Sequence, residues 1–212
     1  MRKPIRMMYI LLLLSSLSFT TAHAADYSAG IHYFQLAAPQ AVQTGDQIEV
    51  LELFWYGCPH CFKLEPVLEK WSKTKPKNSA HVRQPAILRD TWAFHARVYF
   101  TFEALNLVEK LHGEFFDELH KRKNRIRTEK QLIPFLEIQG VPKDKFLEAF
   151  NSFAVDSKVR NASLMSKRYE LTGVPTIVVD GKYRATASSA GSHEQLMELV
   201  NSLVAKAAKE RN

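Results

Sequence analysis

The chain holds two cysteines in 212 residues, and both fall in one short motif, Cys58-Pro59-His60-Cys61. A bridge between them closes a four-residue loop. So short a loop constrains the unfolded chain by only about 2 kcal/mol in the chain-entropy description, and strain returns part of that. It is a weak staple. Thiol–disulfide exchange, by contrast, needs an attackable sulfur and an internal partner one helical turn away, which this spacing supplies. Other cysteine chemistries are poorly served. Haem attachment needs histidine directly after the second cysteine, where Phe62 stands. Structural zinc needs two further ligands, and His81, His95, His112 and His120 show no ligand spacing. Redox exchange with no metal and no bound cofactor is the expected chemistry.

The elements around the motif must expose one sulfur and shelter the other. Residues 47–55 mix alternation with β-branched and aromatic side chains between Gly45-Asp46 and Gly57, which predicts a strand. From Pro59 the apolar spacing becomes helical through Phe62, Leu64, Val67, Leu68 and Trp71, ending near Lys75-Pro76. Cys58 therefore starts a helix, where unpaired N–H groups and the helix dipole stabilise a thiolate. His60, inside the loop, can add to this through its charge or its ring N–H. Each pKa unit of thiolate stabilisation is worth about 1.4 kcal/mol, or about 30 mV for a two-electron couple, and makes the pair a stronger oxidant. Cys61, one turn further in, is the internal partner and Cys58 the attacked sulfur.

A second strand is expected at residues 80–86, completing a βαβ unit with a parallel sheet and right-handed crossover. Residues 90–171 show helical periodicity, with breaks near Gly113, Asn124 and Gly140-Val141-Pro142. Residues 176–184 read as a hairpin around Asp180-Gly181. Ser192 with Gln195 resembles a capping box opening a last helix, with Leu196, Leu199, Val200 and Leu203 on its apolar face. The expected order is βαβ, a helical insertion, then ββα.

The first residues combine Arg2, Lys3 and Arg6 with an apolar run from Met7 to Leu14 and end in Ala22-His23-Ala24, the three regions of a signal peptide cleaved after about Ala24. The apolar run is shorter than the roughly 20 residues that span a bilayer, and neither cysteine lies near a lipoprotein processing site. Removing residues 1–24 takes away three basic residues and no acid, so the formal charge falls from +7 to +4. The remainder suits one core, or one core with a subsidiary domain. The most basic run, residues 120–127, reads as a solvated interhelical loop. Contact with acidic substrates or anionic membrane is its alternative, and nucleic acid is not expected for an exported chain.

Taken together, Phe54-Trp55-Tyr56-Gly57-Cys58-Pro59-His60-Cys61 and Gly173-Val174-Pro175-Thr176 resemble the DsbA family of periplasmic disulfide-forming proteins. The likeness of layout extends over nearly the whole mature chain. The resemblance implies an α/β, thioredoxin-like fold with an inserted all-helical domain. The parts would be a signal peptide at 1–24, the thioredoxin-like domain at 25–88 and 169–212, and the helical domain at 89–168. It further implies a low-pKa, strongly oxidising cysteine pair and a cis Pro175 packed against it. Val174 would hold an extended substrate by main-chain hydrogen bonds. Glu52 looks like the family's buried acid, which assists proton transfer, and Arg83 roughly matches its basic partner.

The implied activity is that of a periplasmic protein disulfide oxidoreductase that donates the Cys58–Cys61 disulfide to unfolded exported proteins and is reoxidised by an inner-membrane, quinone-linked partner of the DsbB type. A reductase or disulfide isomerase would use the same motif kept reduced. The dimeric isomerases of that compartment carry an added N-terminal domain, for which the roughly 22 residues before the first strand are too few. The oligomeric state is left open by the sequence, with a monomer as the default expectation. A holdase without redox turnover is the third class, and the intact cysteine pair argues against it.

Overall fold

The structure, a computed structural model, describes residues 27–211. The expected signal peptide and its cleavage after Ala24 lie outside them. The elements are β1 (Phe34–Gln35), β2 (Ile48–Phe54), α1 (Pro59–Thr74), β3 (Ser79–Pro85), a 3-10 turn at Asp90–Trp92, α2 (Ala93–Ala104), α3 (Val108–His120), α4 (Glu129–Ile138), α5 (Lys143–Phe150), α6 (Phe153–Arg168), β4 (Thr176–Val179), β5 (Tyr183–Ala185), α7 (Ala187–Ala190) and α8 (His193–Arg211). No helix among the described residues is long and apolar enough to cross a membrane.

The sheet runs in the order β1-β5-β4-β2-β3. β2 is buried along its whole length between β3, which it pairs with in parallel, and β4, which runs antiparallel to it. The expected βαβ unit is therefore present. Side chains alternate across a strand, so Ile48 and Val50 join Ile177 and Val179 under α1 and α8, while Leu51, Leu53 and Val178 face the other layer with Tyr169. The same alternation puts Glu52 on the α1 side. On α1, Cys61, Leu64, Leu68 and Trp71 form the buried stripe.

Three details differ from the sequence reading. Gly113 does not break a helix; it lies exposed inside α3, where an added Cβ would meet nothing. The break falls at Asn106, which takes a left-handed φ of 56°, while the Leu107 N–H returns to the Phe102 carbonyl at 2.7 Å and closes α2. β1 precedes the strand expected to be first and pairs with β5. Ser192 does cap α8, accepting from the Gln195 N–H, but the reciprocal box belongs to Thr186 and Ser189 at the start of α7. The hairpin stands as expected, with positive φ at both Asp180 and Gly181 and the Lys182 N–H bonded to the Val179 carbonyl.

Candidate active site

β2 delivers Trp55-Tyr56-Gly57-Cys58 to the start of α1. The chain turns there by a bond from the Cys58 N–H to the Trp55 carbonyl at 2.9 Å. A Cβ on Gly57 would stand 2.3 Å from the Trp55 ring, so any larger residue must displace that ring. Cys58 is the N-cap with extended backbone, and Pro59 begins the helix at the position where its missing N–H costs nothing.

Both sulfurs are unbonded, which is the reduced form. Cys58 keeps 7% of its surface exposed and Cys61 none. The Cys58 thiol is brought down from 9.0 to about 6, chiefly by a hydrogen bond from the Cys61 thiol. Burial opposes this, and the backbone N–H groups of Cys61 and His60 and the charge of His60 add to it. Cys61 is pushed well above the ordinary thiol range by burial and by the Cys58 anion beside it. One sulfur is thus a thiolate at neutral pH and the other its proton-bearing neighbour.

The loop before β4 completes the site. The peptide bond Val174-Pro175 is cis, and the Val174 carbonyl lies 3.4 Å from the Cys58 sulfur. His60, Val174, Pro175, Arg184, Ser189 and His193 border a groove of about 560 Å³ beside the sulfur. Cys58, Pro59, His60, Cys61, Val174 and Pro175 therefore converge at one place. Glu52 does not border the groove; it is fully buried in β2 behind α1, where its charge reaches Cys61, with its carboxylate 3.3 Å from Arg83 Nε and 3.5 Å from His81 Nε2.

Sequence reasoning did not find the polar chain that continues from there. Arg83 reaches Glu65 at 2.6 Å, Glu65 stands 3.3 Å from His112 Nε2, and His112 Nδ1 is 2.9 Å from the Tyr56 hydroxyl. Two turns along α3, His120 Nε2 bonds the Tyr56 carbonyl at 2.7 Å and stacks on Phe62 with the planes 11° apart. Trp92 stacks on Trp55 at 4.3 Å. Spacing alone marks His112 and His120 as sharing roughly one side of a helix, which is the only signal the sequence holds for them.

The family described as the DSBA-like thioredoxin domain matches residues 84–201. This chain belongs to the DsbA family. The matched span begins after the cysteines, but alignments with whole-chain relatives extend across them. The thiol:disulfide interchange protein DsbA of Pseudomonas aeruginosa is 39% identical over 196 residues, covering 92% of this chain and 93% of the relative. That of Pseudomonas syringae is 37% identical over 93% and 96%. A crystal structure of Pseudomonas aeruginosa DsbA superposes with a TM-score of 0.84 at 38% identity, covering 89% of this chain and 98% of that one. The α/β fold with helices between β3 and β4 is thus the DsbA fold.

Proposed function

We propose that the protein is a thiol:disulfide oxidoreductase that donates a Cys58–Cys61 disulfide to exported proteins. The observation that carries this is the asymmetry of the pair, a sulfur at the edge of the surface held near pKa 6 beside a fully buried one held well above the thiol range. A substrate thiolate attacks the Cys58 sulfur, forming a mixed disulfide and expelling Cys61, which takes up a proton. A second substrate thiolate then attacks the substrate's own sulfur and Cys58 leaves as the stabilised thiolate. The substrate has lost two electrons and two protons; the enzyme has gained both electrons and one proton, held on Cys61, and the other proton goes to solvent. The low pKa of Cys58 makes it the better leaving group in that step.

Pro59 starts the helix and His60 adds positive charge at the sulfur. The cis Pro175 shapes the wall facing the pair, and the Val174 backbone holds the substrate strand. Glu52, behind Cys61, serves as its proton acceptor when a disulfide re-forms; its charge already acts to keep Cys61 protonated. No cofactor beyond the disulfide is required. Residues 25–88 and 169–212 act as the thioredoxin-like domain and 89–168 as an inserted helical domain. The chain works in the periplasm as a monomer after cleavage near Ala24, and a quinone-linked inner-membrane protein of the DsbB type reoxidises it.

Equilibration of the mature protein in glutathione buffers, with trapping of the free thiols, tests the reading. A reduction potential well above that of glutathione is expected. A value in the range of thioredoxin would move the assignment to a reductase.

A further inference from the structure

His60 and Gly57, on either side of Cys58 in the chain, each line a depression, and the ionisable groups lining both are all basic. On one side the groove carries His60, Arg184 and His193. On the other, a smaller crevice of about 120 Å³ runs from Gly57 to His120, Arg125 and Arg127. His95 also borders this crevice, but burial lowers its pKa to about 4 and it adds no charge at neutral pH. The basic excess of the whole chain does not account for this pattern, because the next groove along, between α1 and α3, is lined by Glu65, Glu69, Glu109, Glu114 and Asp117 alongside three lysines.

The charges on the redox face are also unspent. In the loop after α3, Lys121 pairs with Asp117 and Arg122 with Glu114 and Glu118. Arg125 and Arg127, the two that border the crevice, have no carboxylate partner among the described residues, and neither has Arg184 across the sulfur. Apolar Ile31 and Phe34 are exposed at the groove, and the Arg184 guanidinium lies over the Phe34 ring at 5.9 Å. An extended segment laid across Cys58 thus meets arginine on either side of its cysteine.

We propose that this face selects substrates whose reacting cysteine is flanked within a few residues by Asp or Glu, the carboxylates resting against Arg125 and Arg127 on one side and Arg184 on the other. The proposal deepens the disulfide-donor reading and rests on it. Unpaired surface charges of one sign around a reactive centre raise the encounter rate with segments of the other sign, and the effect is screened by salt.

The test uses the oxidised mature protein and three peptides that differ only in the residues beside their cysteines: Glu, Gln or Lys. Rates are read by acid quench and thiol trapping. The Glu peptide should react about tenfold faster than the Lys peptide at low salt, with Gln between them. The ratio should fall below about twofold in 1 M salt, and in an Arg125→Gln/Arg127→Gln double variant it should shrink at low salt. Uncharged dithiothreitol reports redox competence separately. A normal dithiothreitol rate with equal peptide rates overturns the charge selection and leaves the donor reading standing; failure to oxidise dithiothreitol removes both. If the double variant loses binding to phosphatidylglycerol vesicles while the order of the peptides is unchanged, the face serves an anionic membrane and the proposal is overturned.

Discussion

The sulfur asymmetry makes a quantitative prediction about pH. Between pH 6 and the high pKa of Cys61, the reduced protein carries one thiolate and one thiol, so reduction takes up two electrons and one proton. Below pH 6 it takes up two protons. The potential should therefore fall by about 59 mV per pH unit below pH 6 and by only about 30 mV per unit above it. The sign follows from the direction of the shift. A pKa depressed from 9.0 to about 6 stabilises the reduced, folded form. That stabilisation is complete above the ordinary thiol pKa and is lost as pH falls through 6. It amounts to about 4 kcal/mol at full expression and about 1.4 kcal/mol at pH 7, or about 30 mV of added oxidising strength at neutrality. Redox equilibration at half-unit steps from pH 4.5 to 8.5 would locate the change of slope, and absorbance of the thiolate near 240 nm in the reduced protein should titrate at the same pH. A single slope near 59 mV per unit through pH 8 would refute the assignment of a thiolate to Cys58.

Three substitutions probe the scaffold behind the sulfurs. Gly57→Ala drives a methyl into the Trp55 ring, so the Trp55–Trp92 stack should open, seen as loss of near-UV circular dichroism; an unchanged spectrum would contradict the close approach. Glu65→Leu removes the acid between Arg83 and His112 and should cost about 3–5 kcal/mol in urea unfolding, as for other broken buried pairs, whereas a change under 1 kcal/mol would mean the network is relaxed by water. His120→Phe keeps a ring on Phe62 but loses the bond to the Tyr56 carbonyl, for an expected loss of about 1 kcal/mol; unaltered stability of the reduced protein would count against that bond.

What could be read beforehand was local. The strand before the cysteines, the helix after them and the Asp180-Gly181 turn each follow from a few adjacent residues. Where a decision depended on distant chain, the sequence was silent or misleading. The side taken by Glu52 is decided by which strand face α1 covers, and α1 lies beyond the loop. Gly113 looked like a stop, yet an exposed glycine costs a helix only about 1 kcal/mol, which packing of Leu111, Phe115 and Phe116 on the core outweighs. The true stop depended on Asn106, whose tolerance for left-handed backbone is a weaker signal than glycine's. His112 and His120 join Tyr56 across 56 and 64 residues of chain, a distance over which no periodicity argument reaches.

These long-range contacts explain why the helical layer matters to chemistry carried out at the end of a sheet. The buried cluster that holds Phe54, Tyr56, Cys58 and Cys61 is continuous with the apolar side chains of α2 to α6. Leu64, Leu68 and Trp71, further along the same helix α1, belong instead to the cluster beneath α8. α1 is thus shared, its first turn anchored in one core and the rest in another. Any rotation of the helical layer against the sheet would bend α1 between Cys61 and Leu64 and carry the sulfurs away from Val174, which lies just before β4. The bonds from α3 to both the hydroxyl and the carbonyl of Tyr56 resist that rotation two residues from Cys58. A sulfur whose pKa depends on hydrogen bonds to neighbouring groups needs those groups held still, and the bonds from α3 to Tyr56 are placed to hold them.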